Sequence, residues 1–141
     1  MPFILPSSRL AAAACLAAAS LAFLPMAAVA QPAPAPVTST ARGVTVKITP
    51  ERLAGDADVW TFAVVLDTHS QDLADDLVNT VVLVTSDGRE VKPTAWTGQP
   101  AGGHHREGKL QFPAPKPAPK AIELRMRRVG ETEPRSFRWQ L

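Results

Sequence analysis

The chain has 141 residues, with 15 lysine and arginine residues against 13 aspartate and glutamate residues, and a single cysteine. A chain of this length forms one domain as a rule, which excludes multidomain enzymes, doubly wound nucleotide-binding folds and repeat arrays. The nearly balanced charge and the absence of tyrosine argue against a nucleic-acid-binding surface of basic and aromatic side chains.

Residues 1–30 are predicted to be a secretory signal peptide. Arg9 gives a weakly basic start, residues 10–30 are almost wholly apolar, and residues 28–30 (Ala-Val-Ala) form the small-x-small pattern of a cleavage site. We expect cleavage before Gln31 and a periplasmic or secreted protein. The alternative is an uncleaved membrane anchor, since about 20 apolar residues are enough to span a bilayer.

Cleavage would remove Arg9 and the only cysteine, Cys15, and leave 14 basic residues against 13 acidic ones. A domain without cysteine forms no disulfide and has no thiolate chemistry, so its stability depends on its hydrophobic core. Residues 31–42 are rich in proline, alanine, serine and threonine, and are predicted to be a disordered tether before a folded domain at 43–141.

Short apolar runs with a period of two predict strands along the folded domain. In residues 44–49 and 122–127, apolar side chains alternate with polar ones, which is typical of strands with one buried and one exposed face. Residues 60–66 carry large apolar side chains at every second position and mostly smaller apolar ones between, which predicts a central strand. The predicted strands are 44–49, 59–67, 80–85, 90–93, 109–112, 122–127 and 136–140.

About seven such strands in about 100 residues indicate an all-β fold, namely an immunoglobulin-like antiparallel β-sandwich. Ser70 is expected to cap one helical turn over 71–77, with an irregular loop as the alternative. The proline-rich segment 113–120 is expected to be an extended surface spacer, and Trp60 and Trp139 are expected in the core.

All three histidines lie in two segments of unusual sequence. His69 lies in the segment 67–73, just after the predicted central strand, and His104 and His105 end a glycine-rich stretch that begins at Trp96. Glycines allow positive φ angles and close backbone approach, so the second segment is predicted to be a loop. Loops held on a rigid β scaffold are common places for binding residues.

Together the two segments resemble a group of small exported bacterial and archaeal domains of unknown function. The shared pattern is Thr-His-Ser-x-Asp-Leu, then Trp-x-Gly, then Gly-Gly-His-His-Arg-x-Gly-x-Leu-x-Phe, and it covers residues 68–112. The matching residues are Thr68, His69, Ser70, Asp72, Leu73, Trp96, Gly98, Gly102, Gly103, His104, His105, Arg106, Gly108, Leu110 and Phe112. The resemblance supplies a residue pattern and implies no particular activity.

The histidines predict a metal site, since neutral imidazole is the commonest protein ligand for Cu(II), Zn(II) and Ni(II). The predicted ligands are His69, His104 and His105, with Asp72 or Asp67 completing the shell. Consecutive residues on a regular strand point to opposite faces, so His104 and His105 bind one ion only if the loop bends them together. Otherwise one of them joins His69. The spacing matches no standard zinc motif.

The alternative is a structural network in which the histidines fasten the loops to the sheet. His69 would then hydrogen-bond a neighbouring backbone group, Trp96 would pack beneath the glycine-rich loop, and Arg106 would pair with an aspartate of residues 54–88. In a binding site, Trp96 would instead be a platform for the ligand and Arg106 a polar contact.

An enzyme is not expected. His69, Ser70 and Asp72 supply the residue types of a hydrolase triad, but they lie too near one another to be presented as separate nucleophile, base and orienting acid. Asp75 and Asp76 are expected in an exposed charged turn rather than as an acid–base pair.

The sequence therefore predicts an exported, non-enzymatic binding domain that coordinates a divalent transition metal through its loop histidines. The alternative is a structural or protein-interaction β-sandwich whose envelope partner binds a sheet edge or the proline-rich segment. Nucleic acid is not an expected partner, and contact with a membrane is expected only if the signal segment is retained.

Overall fold

A computed structural model describes residues 33–141. The predicted signal peptide and the first two residues of the predicted tether lie outside the described residues. The elements are β1 (Val37–Ala41), β2 (Val44–Arg52), β3 (Val59–Thr68), α1 (Leu77–Thr80), β4 (Val81–Thr85), β5 (Glu90–Val91), β6 (Ala95–Gly98), β7 (His105–Pro113), β8 (Ala121–Met126) and β9 (Arg135–Gln140).

The strands form two antiparallel sheets, which confirms the predicted all-β architecture. The five-stranded sheet has the order β1-β2-β3-β7-β6, and the four-stranded sheet has the order β5-β4-β8-β9. The long central pair β3–β7 runs from Val59 opposite Pro113 to Asp67 opposite His105. This register brings the two histidine-bearing segments of the sequence to the same end of the five-stranded sheet.

The two sheets bury their apolar faces in one hydrophobic core. Alternate residues of β2, β3, β8 and β9 are buried, as their period of two predicts. The ring centroids of Phe62 in β3 and Trp139 in β9 are 5.8 Å apart, so side chains of the two sheets meet in the middle. Trp60 and Trp139 are 1% and 6% exposed, which confirms that they belong to the core.

The structure differs from the predicted organisation at three strands and one helix. Residues 37–41, predicted as tether, form β1 because their backbone pairs with β2 from Val37–Ile48 to Ala41–Val44. Strand β6 lies in the predicted glycine-rich loop, and β7 begins at His105, four residues earlier than predicted. The helical turn begins at Leu77 and is capped by the carboxylate of Asp76 rather than by Ser70.

Among the described residues, no helix has the length and apolar character needed to cross a membrane.

Candidate functional site

Four connections of the described chain meet at one end of the two sheets, which we call the loop end. They are the turn at 42–43 and the segments 69–76, 99–104 and 127–134. Side-chain and backbone hydrogen bonds join each of them to at least one other connection or strand end. All residues predicted for the functional site lie in these segments or on the strand ends beside them.

Asp72 fastens the segment 69–76 to the glycine-rich segment 99–104. Its Oδ1 atom accepts a hydrogen bond of 2.6 Å from the Gly103 N–H. The Leu73 N–H donates to the Gly103 carbonyl at 3.0 Å, and the Gly102 N–H donates to the Leu73 carbonyl at 2.9 Å. Gly102 and Gly103 have φ angles of 114° and 75°, a region that favours glycine. These glycines therefore shape the backbone that pairs with the neighbouring loop.

Arg106 is buried between the same two loops and is 4% exposed. Its guanidinium donates to the carbonyls of Asp75 at 2.6 Å, Gln99 at 3.2 Å and Leu73 at 3.4 Å. Burial lowers the pKa of this guanidinium, although arginine still carries its charge at neutral pH. Arg106 thus pairs the carbonyl of Asp75 inside the domain and adds a second donor to the carbonyls of Gln99 and Leu73.

Trp96 packs at the edge of the core on a pair of glycines. A Cβ atom added to Gly98 would lie 3.0 Å from Cζ2 of Trp96, and one added to Gly108 would lie 2.7 Å from it. The indole N–H donates to the Gln99 carbonyl at 2.9 Å, and the guanidinium of Arg106 lies 5.0 Å from the ring centroid. Trp96 is therefore engaged within the domain, as the structural alternative expects. Arg106 is engaged too, but through backbone carbonyls rather than through an aspartate carboxylate.

A buried charged network, which the sequence reasoning missed, holds the remaining connections. Arg128 donates from Nη2 to Oδ2 of Asp75 at 2.9 Å, and the two side chains are 4% and 1% exposed. Arg135 pairs with Glu131 at 2.5 Å, and donates to the carbonyls of Val44 at 2.9 Å and Ala41 at 2.9 Å. The expectation of an exposed turn is wrong for Asp75, because this carboxylate neutralises a buried arginine.

The three histidines do not form one ligand cluster. The His69 and His104 side chains are exposed, and the His104 carbonyl accepts a hydrogen bond of 2.9 Å from the Thr68 N–H. Within residues 33–141 there is no group of three or more His, Cys, Asp or Glu side chains arranged to hold a metal ion. The predicted shell of three histidines and an aspartate is thus not assembled in this structure.

His105 stands apart from the other two because carboxylates lie next to both of its ring nitrogens. Its Nδ1 atom lies 2.5 Å from Oδ1 of Asp67, its partner across the β3–β7 ladder. Its Nε2 atom lies 3.7 Å from Oε2 of Glu107, two residues further along β7 and on the same face of the sheet. The imidazole itself is 49% exposed.

The hydrogen bond to Asp67 raises the pKa of His105, and the charges of Asp67 and Glu107 act in the same direction. The same contact selects the tautomer of the neutral ring, because a carboxylate beside Nδ1 favours a proton on that atom. The lone pair of Nε2 is then directed toward the side where Glu107 lies. A histidine held in this way by a carboxylate is the usual arrangement behind a metal-ligating imidazole.

Comparison of the chain with protein-family models, with curated proteins and with solved structures finds no match.

Proposed function

We propose that this protein is an exported, non-enzymatic binding domain that coordinates a divalent transition metal through Nε2 of His105 and a carboxylate oxygen of Glu107. The observation that carries the proposal is the fixed imidazole: Asp67 holds Nδ1 at 2.5 Å, while Nε2 lies 3.7 Å from Glu107. Relative to the ligands predicted from the sequence, the proposal retains His105, adds Glu107 and gives Asp67 an orienting role.

The separation of the two ligand atoms suits a metal ion. Atoms bound tetrahedrally at about 2.1 Å from one ion lie about 3.4 Å from each other. The separation of 3.7 Å between Nε2 and Oε2 is a few tenths larger, and rotation of the exposed Glu107 side chain can close it. One nitrogen and one oxygen ligand favour Zn(II), Cu(II) or Ni(II) over a soft ion such as Cu(I).

We infer that the domain is immunoglobulin-like. If β2 to β9 are taken in turn as strands A, B, C, C′, D, E, F and G, the sheets have the orders A-B-E-D and C′-C-F-G. The segments 69–76, 99–104 and 127–134 then correspond to the B–C, D–E and F–G loops. Immunoglobulin-type domains commonly bind their partners at this end, which supports a binding role for the loop end.

The experiment is a calorimetric titration with Zn(II), Cu(II) and Ni(II) of protein expressed from the full sequence and purified without a histidine tag. We expect binding of at least one ion that His105→Ala abolishes and Glu107→Gln weakens at least tenfold. Asp67→Asn is expected to weaken binding by about 10- to 100-fold, because loss of an orienting partner has an effect of this size.

His69→Ala and His104→Ala are the matched controls, because each removes an exposed imidazole from the same end of the domain. Both are expected to bind as the unaltered protein does. The proposal fails if the unaltered protein binds none of the three ions, or if binding survives His105→Ala.

The second candidate function is that of a structural or protein-interaction module, with no metal. It is favoured by the internal contacts of three predicted site residues, Asp72, Trp96 and Arg106, each of which stabilises the loop end. In that case His105→Ala leaves metal binding by the protein unchanged. Binding of an envelope partner then depends on a sheet edge or on residues 113–120.

A further inference from the structure

We propose that a second copy of this chain completes the His105–Glu107 site, so that one divalent ion joins two copies through the outer face of the five-stranded sheet. This inference rests on the proposed metal site. It follows from three features of that site: the number of ligands, their position on an open sheet face, and the charges around them.

One chain supplies too few ligands for a stable zinc site. Zn(II) in structural sites is almost always four-coordinate, and His105 and Glu107 supply two ligands. Two copies related by a two-fold axis present the same patch to each other. An ion on that axis receives His105 and Glu107 from each copy, which gives the four nitrogen and oxygen ligands of a closed site.

The position of the ligands allows this approach. His105 and Glu107 project from the outer face of the sheet near its loop end rather than from the floor of a cleft, and their side chains are 49% and 61% exposed. The surface beside them is a shallow depression of about 580 Å³, whose lining includes Ala63, Val65 and Thr97. These small side chains leave room for protruding residues of a facing sheet, between the longer side chains of Gln99, Glu107 and Lys109.

The charges of the face are self-complementary. Lys47 in β2 and Glu107 in β7 lie opposite Val65 of the central strand β3, one on each side of it in the sheet. On the same outer face, Lys109 forms an ion pair of 2.9 Å with Glu51. A face with both signs of charge can meet its own copy with opposite charges opposed, whereas a face with one sign would repel itself.

The test is the molar mass of the untagged protein, expressed from the full sequence, with increasing Zn(II) by light scattering after size-exclusion chromatography. We expect the mass to double as Zn(II) approaches half an equivalent per chain and to return to that of one chain when EDTA is added. Calorimetry of the same sample is expected to give half an ion per chain, and His105→Ala is expected to abolish both effects.

Ala63→Arg separates this inference from the proposed metal site. The new side chain stands in the depression and blocks the facing copy, while His105, Glu107 and Asp67 remain in place. We expect this variant to stay a single chain, to bind Zn(II) at one ion per chain, and to do so at least tenfold more weakly. Circular dichroism verifies that it folds.

The outcomes are distinguishable. One ion per chain in the unaltered protein, with no change of molar mass, overturns the shared site and leaves the metal site standing. Absence of binding overturns both proposals. A doubled mass that persists in EDTA, or that survives His105→Ala, also overturns the shared site, because the ion would then not be what joins the copies.

Discussion

The guanidinium of Arg106 lies 5.0 Å from the centroid of the Trp96 ring and donates at 2.6 Å to the carbonyl of Asp75, which lies 31 residues earlier in the chain. One side chain thereby joins β7, the edge strand β6 and the loop that follows β3. Its loss would leave the Asp75 carbonyl without its donor in a buried place and remove the cation that stacks on the indole.

We therefore expect Arg106→Ala to lower the free energy of unfolding by about 3 kcal/mol. The matched control is Arg138→Ala, which removes an arginine side chain that is 73% exposed and pairs with Glu123 at the surface. That variant is expected to stay within about 0.5 kcal/mol of the unaltered protein. Denaturant unfolding of the two variants measures the difference, and equal stabilities would contradict the fastening role of Arg106.

Asp75 and Arg128 form a buried ion pair, so removal of either partner leaves a buried charge without the partner that hydrogen-bonds to it. We expect Asp75→Ala and Arg128→Ala each to cost about 3 to 5 kcal/mol of unfolding free energy. The double variant removes both charges and is expected to lose clearly less than the sum of the single losses. A double-mutant cycle by denaturant unfolding measures this coupling. Simple additivity would show that the pair contributes no coupling energy.

Gly98 and Gly108 face each other across the β6–β7 ladder with no room for a side chain. A Cβ atom at Gly98 would lie 2.4 Å from the Gly108 Cα, and one at Gly108 would lie 2.6 Å from the Thr97 carbonyl oxygen. Because these neighbours are backbone atoms, Gly98→Ala and Gly108→Ala are each expected to destabilise the domain by about 1 to 3 kcal/mol.

Gly55→Ala is the control for the glycine substitutions, since its added Cβ would meet nothing closer than 3.8 Å. We expect it to change the unfolding free energy by less than about 1 kcal/mol. Thermal unfolding of the three variants compares them, and a Gly98→Ala protein as stable as Gly55→Ala would show that β6 is not held close to β7.

Because the pKa of His105 is raised in the folded state, the stability contributed by its contact with Asp67 depends on pH. Since the folded state favours the protonated ring, the contact with Asp67 contributes stability that is fully present below the ordinary pKa of 6.5 and is lost as pH rises through the raised pKa. In metal-free protein, Asp67→Asn is expected to lower the pKa of His105 toward its ordinary value. NMR titration of the histidine ring protons measures this shift. His69→Ala is the control that leaves the His105 titration unchanged.

The strands that the sequence predicts best are those whose pattern is local. Strands β2, β3, β8 and β9 alternate buried and exposed side chains, and each was located within a few residues of its ends. Strand β1 was missed because its five residues follow a proline- and alanine-rich stretch and carry no apolar alternation. Its extended state is set by pairing with β2, which no local pattern reports.

The candidate site was predictable only in part, because its contacts join residues far apart in sequence. Asp67 and His105 are 38 residues apart, and Asp75 and Arg128 are 53 residues apart. Once His105 is placed on a strand, however, a period of two brings Glu107 to the same face. The prediction of a loop over residues 96–108 hides that signal, since glycine and charged residues are uncommon in strands.

Arg135 near the C terminus donates to the carbonyls of Ser39, Ala41 and Val44, at sequence separations of 91 to 96 residues. The β1–β2 hairpin is therefore held by a side chain that follows it by more than 90 residues along the chain. Contacts of such separation form slowly, because a long loop must close before they are made. During synthesis from the N terminus, the β1–β2 hairpin is made well before Arg135 can hold it, and this interval is when the chain is most exposed to misassembly.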